Sequence, residues 1–169
     1  ASERFALDAN PRGGPGKGSP DAPVTIVEFS DLECSYCARA HQVVSDLVRR
    51  RPKDVRVVFR HYPLAMHAHA RHAAEVAACA QLQDGFWKVA DMLFGNQKNM
   101  SEAGIRKHVG ALGLDQAGID ACVKSEDGRR MVQADIDEGD ALGVGSTPTF
   151  FVNGHYIGSL PREGLDAVV

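Results

Sequence analysis

Val24-Thr-Ile-Val-Glu-Phe-Ser-Asp-Leu-Glu-Cys-Ser-Tyr-Cys37 runs from a strand pattern straight into a cysteine pair that opens a helix pattern. Val24–Ser30 is β-rich and almost continuously apolar, as a strand covered on both faces should be. Asp31–Glu33 reads as a short loop. From Cys34 to about Arg51, Ala40, Val43, Val44, Leu47 and Val48 recur at i, i+3, i+4 spacing, the mark of an amphipathic helix. Arg49, Arg50 and Arg51 place cations at the negative end of its dipole, and Pro52 stops it. Val55–Arg60 is a second strand pattern. Strand, helix and strand in so short a span make a βαβ unit, which predicts two parallel strands.

Beyond this unit, residues from about 65 to 142 read as helical. Ala68–Leu82 is alanine-rich, Phe86–Phe94 carries an aromatic stripe suited to core packing, and Ser101 and Asp115 are placed as N-caps. Thr149–Val152 and His155–Ile157 flank Asn153-Gly154, the strongest short hairpin signal. Pro161–Val169 opens one more helix that stops early. The predicted class is therefore α/β: a thioredoxin-type βαβ…ββα sheet with a helical insertion between its halves. Residues 1–20 are expected to be a flexible leader, because the Pro11–Pro20 run of Pro and Gly cannot be helix or strand. Residues 21–169 are expected to form one domain.

Composition excludes several classes of function. The chain has 169 residues, 44% hydrophobic and 24% charged, which is ordinary for a folded domain and wrong for a disordered or collagen-like chain. A net charge of −3 gives no global basic field for nucleic acid. No run of 18 apolar residues could cross a membrane. Ala1–Asn10 lacks the basic start and apolar run of a signal peptide, so a mature form, a trimmed chain or a cytosolic protein is expected. Lys17 is followed by Gly18 rather than Ser or Thr and precedes the first strand, so a phosphate loop is excluded.

The chemistry centres on Cys34-Ser-Tyr-Cys37. This spacing at a helix start brings two sulfurs within reach of a reversible disulfide, while orphan N–H groups and the positive dipole end favour a thiolate at Cys34. Cys34 is the candidate nucleophile, expected to be exposed, and the more enclosed Cys37 would resolve the mixed disulfide. Half of a zinc site and a pair of inert thiols are the competing readings. Glu28 is six positions before Cys34; buried, it could relay protons to and from Cys37, or it could face water on an edge strand. Thr147-Pro148 opens the third strand, and a cis bond there would present the Thr147 backbone to an extended substrate; a trans turn is the alternative. If Cys79 and Cys122 pair, the bridge closes a long loop and implies an oxidising compartment; two buried free thiols are the other possibility. His67, His69 and His72 invite a metal reading, but no nearby acid or thiol completes a site, so solvated or capping histidines are expected and no metal. His41 is either near the thiols or an ordinary polar helix position.

Phe29–Cys37, Ala73-Ala-Glu-Val-Ala-Ala-Cys-Ala80, Gly85-Phe-Trp87 and Gly143-Val-Gly-Ser-Thr-Pro-Thr-Phe-Phe-Val-Asn-Gly154 together resemble the DsbA-like thiol–disulfide oxidoreductases of the thioredoxin superfamily. The likeness extends from about Ala22 to Leu165. It implies export from the cytoplasm, Cys34 as nucleophile, Cys37 as resolving thiol, Pro148 as a cis proline, an acid at Glu28, and a bridge like Cys79–Cys122 found in some members. Strongly oxidising members carry a histidine inside the CxxC, where this chain has Ser35-Tyr36; Asp31 and Glu33 oppose an anion nearby. Thr147 before the proline looks more like the isomerases.

The expected function is an extracytoplasmic, periplasmic disulfide oxidase without a cofactor. Ser35, Tyr36, Thr147 and Pro148 would contact clients that carry cysteine thiols or disulfides. A redox partner, for which the family suggests a membrane quinone-linked oxidase, would reset the Cys34–Cys37 pair. A monomer is expected because 169 residues show no dimerisation module, and this favours oxidase over isomerase. A reductase, a metal-handling CxxC module and a silent interaction domain are the alternatives, and the chain could be one domain of a longer or anchored protein.

Overall fold

A computed structural model describes residues 14–169. In chain order the elements are β1 (Gly16–Lys17), β2 (Val24–Ser30), α1 (Ser35–Arg50), β3 (Val55–His61), α2 (Ala70–Gln81), α3 (Phe86–Phe94), α4 (Glu102–Gly110), α5 (Gln116–Lys124), α6 (Asp127–Ala141), β4 (Thr149–Val152), β5 (His155–Gly158) and a 3-10 turn at Leu165–Ala167. The sheet order is β1-β3-β2-β4-β5. β2 and β3 are parallel, and β4 runs antiparallel to β2, so the βαβ unit and the hairpin meet on either side of one central strand.

β2 is buried on both faces from Ile26 to Ser30, as its unbroken apolar run requires. Ile26 joins Val57 and Phe150 beneath Ala40, Val44 and Leu47 of α1. The alternate residues Val27 and Phe29 turn to the opposite face, with Val58, Phe151 and Val144. This period of two puts Glu28 and Ser30 on the face that carries α1.

The helical insertion builds a second core, in which Phe59, Phe86, Val89, Leu93, Ile105 and Ile119 pack together with both Cys34 and Cys37. Ser101 and Asp115 cap α4 and α5 as expected, their side chains accepting from Gly104 N and Gly118 N. Cys79 on α2 and Cys122 on α5 form a disulfide, closing a separation of 43 residues. In the chain-entropy account such a bridge contributes about 4 kcal/mol. The Cys79→Ala/Cys122→Ala double variant should melt roughly 10 °C lower, with Cys34 reactivity unchanged. Calorimetry beside alkylation checks both halves of that expectation. Gly128 permits the close packing here, since a Cβ would lie 2.7 Å from Cys79 Sγ and 2.9 Å from the Glu75 carbonyl.

Two segments differ from expectation. Gly16 and Lys17 lie within the stretch read as a flexible leader, yet they pair antiparallel with Val58 and Val57 of β3. Trp87 Nε1 donates to the Gly16 carbonyl at 3.0 Å, and Lys17 Nζ sits 5.2 Å over the Trp87 ring. The open edge of β3 and a tryptophan remote in sequence override local Pro/Gly composition. The first 13 residues of that expected leader lie outside the described residues. At the other end, Pro161–Val169 forms only the 3-10 turn, whose Leu165 is fully buried against the α1 face.

The chain leaves the sheet for the insertion through residues 62–69 and returns through residues 142–148. Both crossings run past the start of α1.

Candidate active site

Cys34 is the N-cap of α1, with extended backbone angles and its N–H donating to the Asp31 carbonyl at 3.1 Å. Its thiol is held down at about 5, chiefly by hydrogen bonding from the Cys37 thiol. The backbone N–H groups of Cys37 and Tyr36 and the Thr147 side chain act in the same direction, against the penalty of burial. Burial and the Cys34 sulfur push the Cys37 thiol far up, and its Sγ accepts from Asp31 N at 3.4 Å. Both thiols are free. The result is one ready thiolate beside one reluctant thiol.

Cys34 is only 5% exposed and Cys37 fully enclosed. The expected order of access holds, but Cys34 is far less open than a surface nucleophile, because the Thr147 carbonyl lies 3.9 Å from its Sγ. The Thr147–Pro148 bond is cis. Ser35 and Tyr36 project outwards, Tyr36 at 67% exposure.

Glu28 belongs to the central strand rather than an edge, and it is 1% exposed. Burial raises its carboxyl to about 8, partly offset by the Ser30 side chain. Ser30 acts likewise on Cys37, so it stands between the acid and the resolving thiol. Glu28 Oε1 and Ser30 Oγ nevertheless complete no hydrogen bond of normal geometry among the described residues.

A family profile described as Thioredoxin matches residues 12–169. The chain belongs to the thioredoxin family. Among solved thioredoxin-family structures it is similar to a thioredoxin-like oxidoreductase from Silicibacter pomeroyi (29% identity, 95% of this chain and 92% of that one, TM-score 0.84). It is also similar to DsbA2 of Pseudomonas aeruginosa (28% identity, 90% of each chain, TM-score 0.72). These neighbours make it a DsbA-like member of the family. Among curated proteins it is 37% identical to the Na(+)/H(+) antiporter NhaA 3 of Salinispora tropica over 90% of this chain but 24% of that protein. The chain thus spans about a quarter of the length of the curated relatives it matches. No helix among the described residues is long and apolar enough to cross a membrane.

Several residues around this thioredoxin-family site were placed differently by sequence. His67 is not simply solvated: its Nδ1 lies 2.7 Å from Asp31 Oδ2. The buried Asp31 also accepts from Leu64 N and Glu33 N, each at 2.8 Å, and Glu33 accepts from His69 N. The two acids expected to oppose a thiolate are thus engaged by the β3–α2 crossing. Among the described residues no group of three His, Cys, Asp or Glu could hold a metal. His41 is not an ordinary polar helix position: it is buried, 2.6 Å from Asp91 and tilted against Phe94, and burial lowers its basicity. Gln97 carried no signal in the sequence. Its Nε2 donates to the Leu32 and Cys34 carbonyls at 3.0 and 2.9 Å, tying the insertion to the first cysteine.

Proposed function

We propose that the chain is an extracytoplasmic thiol–disulfide oxidoreductase that donates the Cys34–Cys37 disulfide to client proteins. The observation that carries this reading is the split between a stabilised Cys34 thiolate and a suppressed Cys37 thiol across one helix turn. A client thiolate attacks Cys34 Sγ of the disulfide, the S–S bond breaks, and Cys37 leaves with the electron pair. Cys37 takes up a proton, with Glu28 as the group that passes it. A second client thiolate then attacks the client sulfur of the mixed disulfide, and Cys34 departs as its favoured thiolate. Two electrons move from the client dithiol to the pair, one proton stays on Cys37 and the other reaches solvent. Thr147 and Pro148, with Ser35 and Tyr36, form the surface for an extended client segment. The Cys79–Cys122 bridge supports a location outside the reducing cytoplasm. A redox partner, such as a membrane quinone-linked oxidase, would restore the disulfide. We read the working unit as a monomer.

Equilibration against graded glutathione, with alkylation and mass reading of free thiols, tests the direction. A midpoint near about −120 mV is expected of a donor, whereas one near about −270 mV makes the protein a reductase. The reductase reading is the second choice, favoured by the Ser35-Tyr36 dipeptide.

A further inference from the structure

The dipeptide between the cysteines brings no positive charge to the Cys34 sulfur. The fold brings one from elsewhere. His67 lies in the turn before α2, fixed by its own N–H donating to the Leu64 carbonyl at 3.1 Å and its carbonyl accepting from Ala70 N at 3.3 Å. Its ring is clamped 2.7 Å from the carboxylate of Asp31, which is itself fully buried and accepts two backbone N–H groups. Asp31 in turn holds both cysteines, accepting from Cys34 N through its carbonyl and donating its N–H to Cys37 Sγ. One buried aspartate therefore ties the imidazole, the Cys34 backbone and the Cys37 sulfur into a single frame. The ring keeps a quarter of its side chain exposed, so it exchanges protons with solvent freely.

We propose that protonated His67, anchored by Asp31, is the cation that steadies the Cys34 thiolate, and that it makes the redox balance of the pair respond to pH. The inference rests on the reading of Cys34 as the working thiolate. The ionisable groups acting on His67 are Asp31, then Cys34 and Glu33. All three are negative when ionised, and together they raise its basicity above the ordinary histidine value, the Asp31 hydrogen bond contributing most and burial opposing. The sign follows. Below that raised value His67 is charged, cancels Asp31 and favours the thiolate. As pH rises through it, the imidazolium gives its proton to water, Asp31 stands uncompensated, and Cys34 loses support. The reduced pair is then less favoured, so the protein becomes a weaker oxidant.

Two measurements on the full chain test this. In His67→Asn, which keeps a donor for Asp31 but no charge, the Cys34 thiolate absorbance should titrate roughly one unit higher than in the unaltered protein. The glutathione equilibrium constant should move about tenfold toward the disulfide, or about 30 mV. In the unaltered protein, NMR titration of the His67 ring should give a higher midpoint in the dithiol form than in the disulfide form, because the coupling between the two groups is reciprocal. A merely structural clamp would not move that midpoint, and this comparison needs no variant to fold. If Cys34 in the unaltered protein titrates near the ordinary thiol value of about 8.5, the oxidoreductase reading falls and the inference with it. If Cys34 titrates low but is indifferent to His67→Asn, or the His67 midpoint ignores redox state, the inference alone is overturned.

Discussion

Cys34→Ala should reduce insulin-disulfide reduction and client oxidation to the uncatalysed background, while Cys37→Ala should retain a reactive thiol and accumulate mixed disulfides visible by mass. The asymmetry comes from the two environments. With its thiol held at about 5, Cys34 is almost wholly thiolate at neutral pH, so its alkylation rate should be nearly flat from about pH 6 to 8. Cys37 has no exposed surface and is pushed the other way, so it should stay silent in the same assay. Without Cys37 nothing internal releases a captured client. Its thiol also heads the interactions that lower Cys34, so in Cys37→Ala the alkylation profile should shift to higher pH. Full activity in Cys34→Ala would end the proposed function. Equal alkylation of both thiols would remove the division of labour.

The second large effect belongs to Glu28. An acid raised from 4.5 to about 8 binds its proton more tightly in the folded state than in the unfolded one. Between those two values the folded chain therefore holds more protons, and stability falls as pH rises. At about 1.36 kcal/mol per unit, the carboxyl costs about 3 kcal/mol at pH 7 and about 5 kcal/mol above pH 8. Glu28→Gln removes the ionisation but leaves a buried amide, which costs about 1–3 kcal/mol. The variant should therefore be more stable at pH 8 by about 3 kcal/mol, a rise in Tm of roughly 10 °C, with a flatter stability profile from about pH 5 to 8. It should also release Cys37 from the disulfide more slowly, since Gln cannot pass a proton. Denaturant titrations across pH and stopped-flow thiol exchange measure the two halves. A wild-type profile without slope in this window would show that Glu28 is not a buried, strained acid.

The sheet, α1 and the cysteine pair were legible because each is written in local pattern: a seven-residue apolar strand, an i, i+3, i+4 stripe, and an Asn153-Gly154 turn whose residues both take positive φ. β1 was illegible for the opposite reason. Nothing in Pro15-Gly-Lys-Gly18 signals a strand; the edge of β3 and Trp87 create it. Around the sulfurs the same division holds. Cys34, Cys37, Glu28 and Pro148 sit in motifs, whereas Ser30 depends on strand parity and on a side-chain approach that no spacing announces. Gln97 and His67 reach the site from 63 and 36 residues away. The histidine triplet has no acid near it in sequence, because the carboxylate that His67 meets precedes α1 and β3. Arg60 is similar: buried at 1% exposure on β3, it meets Glu138 of α6 at 3.4 Å, a strand-to-helix pairing that linear pattern does not record.

Both crossings between sheet and insertion reach the surroundings of the redox pair, one through His67 on Asp31 and the other through the Thr147 carbonyl beside Cys34. The insertion is thus spliced in at the chemistry itself, with both its ends there and its inner side packed against the two cysteines. Its solvent-facing side can change to suit new clients, while the splice points, the inner packing and Gln97 keep the sulfurs in place. The same arrangement tells an engineer where to vary: the exposed faces of α4 and α5 are open to change, while Ile105, Ile119, the Cys79–Cys122 bridge and the residues at 62–69 and 142–148 are to be left alone.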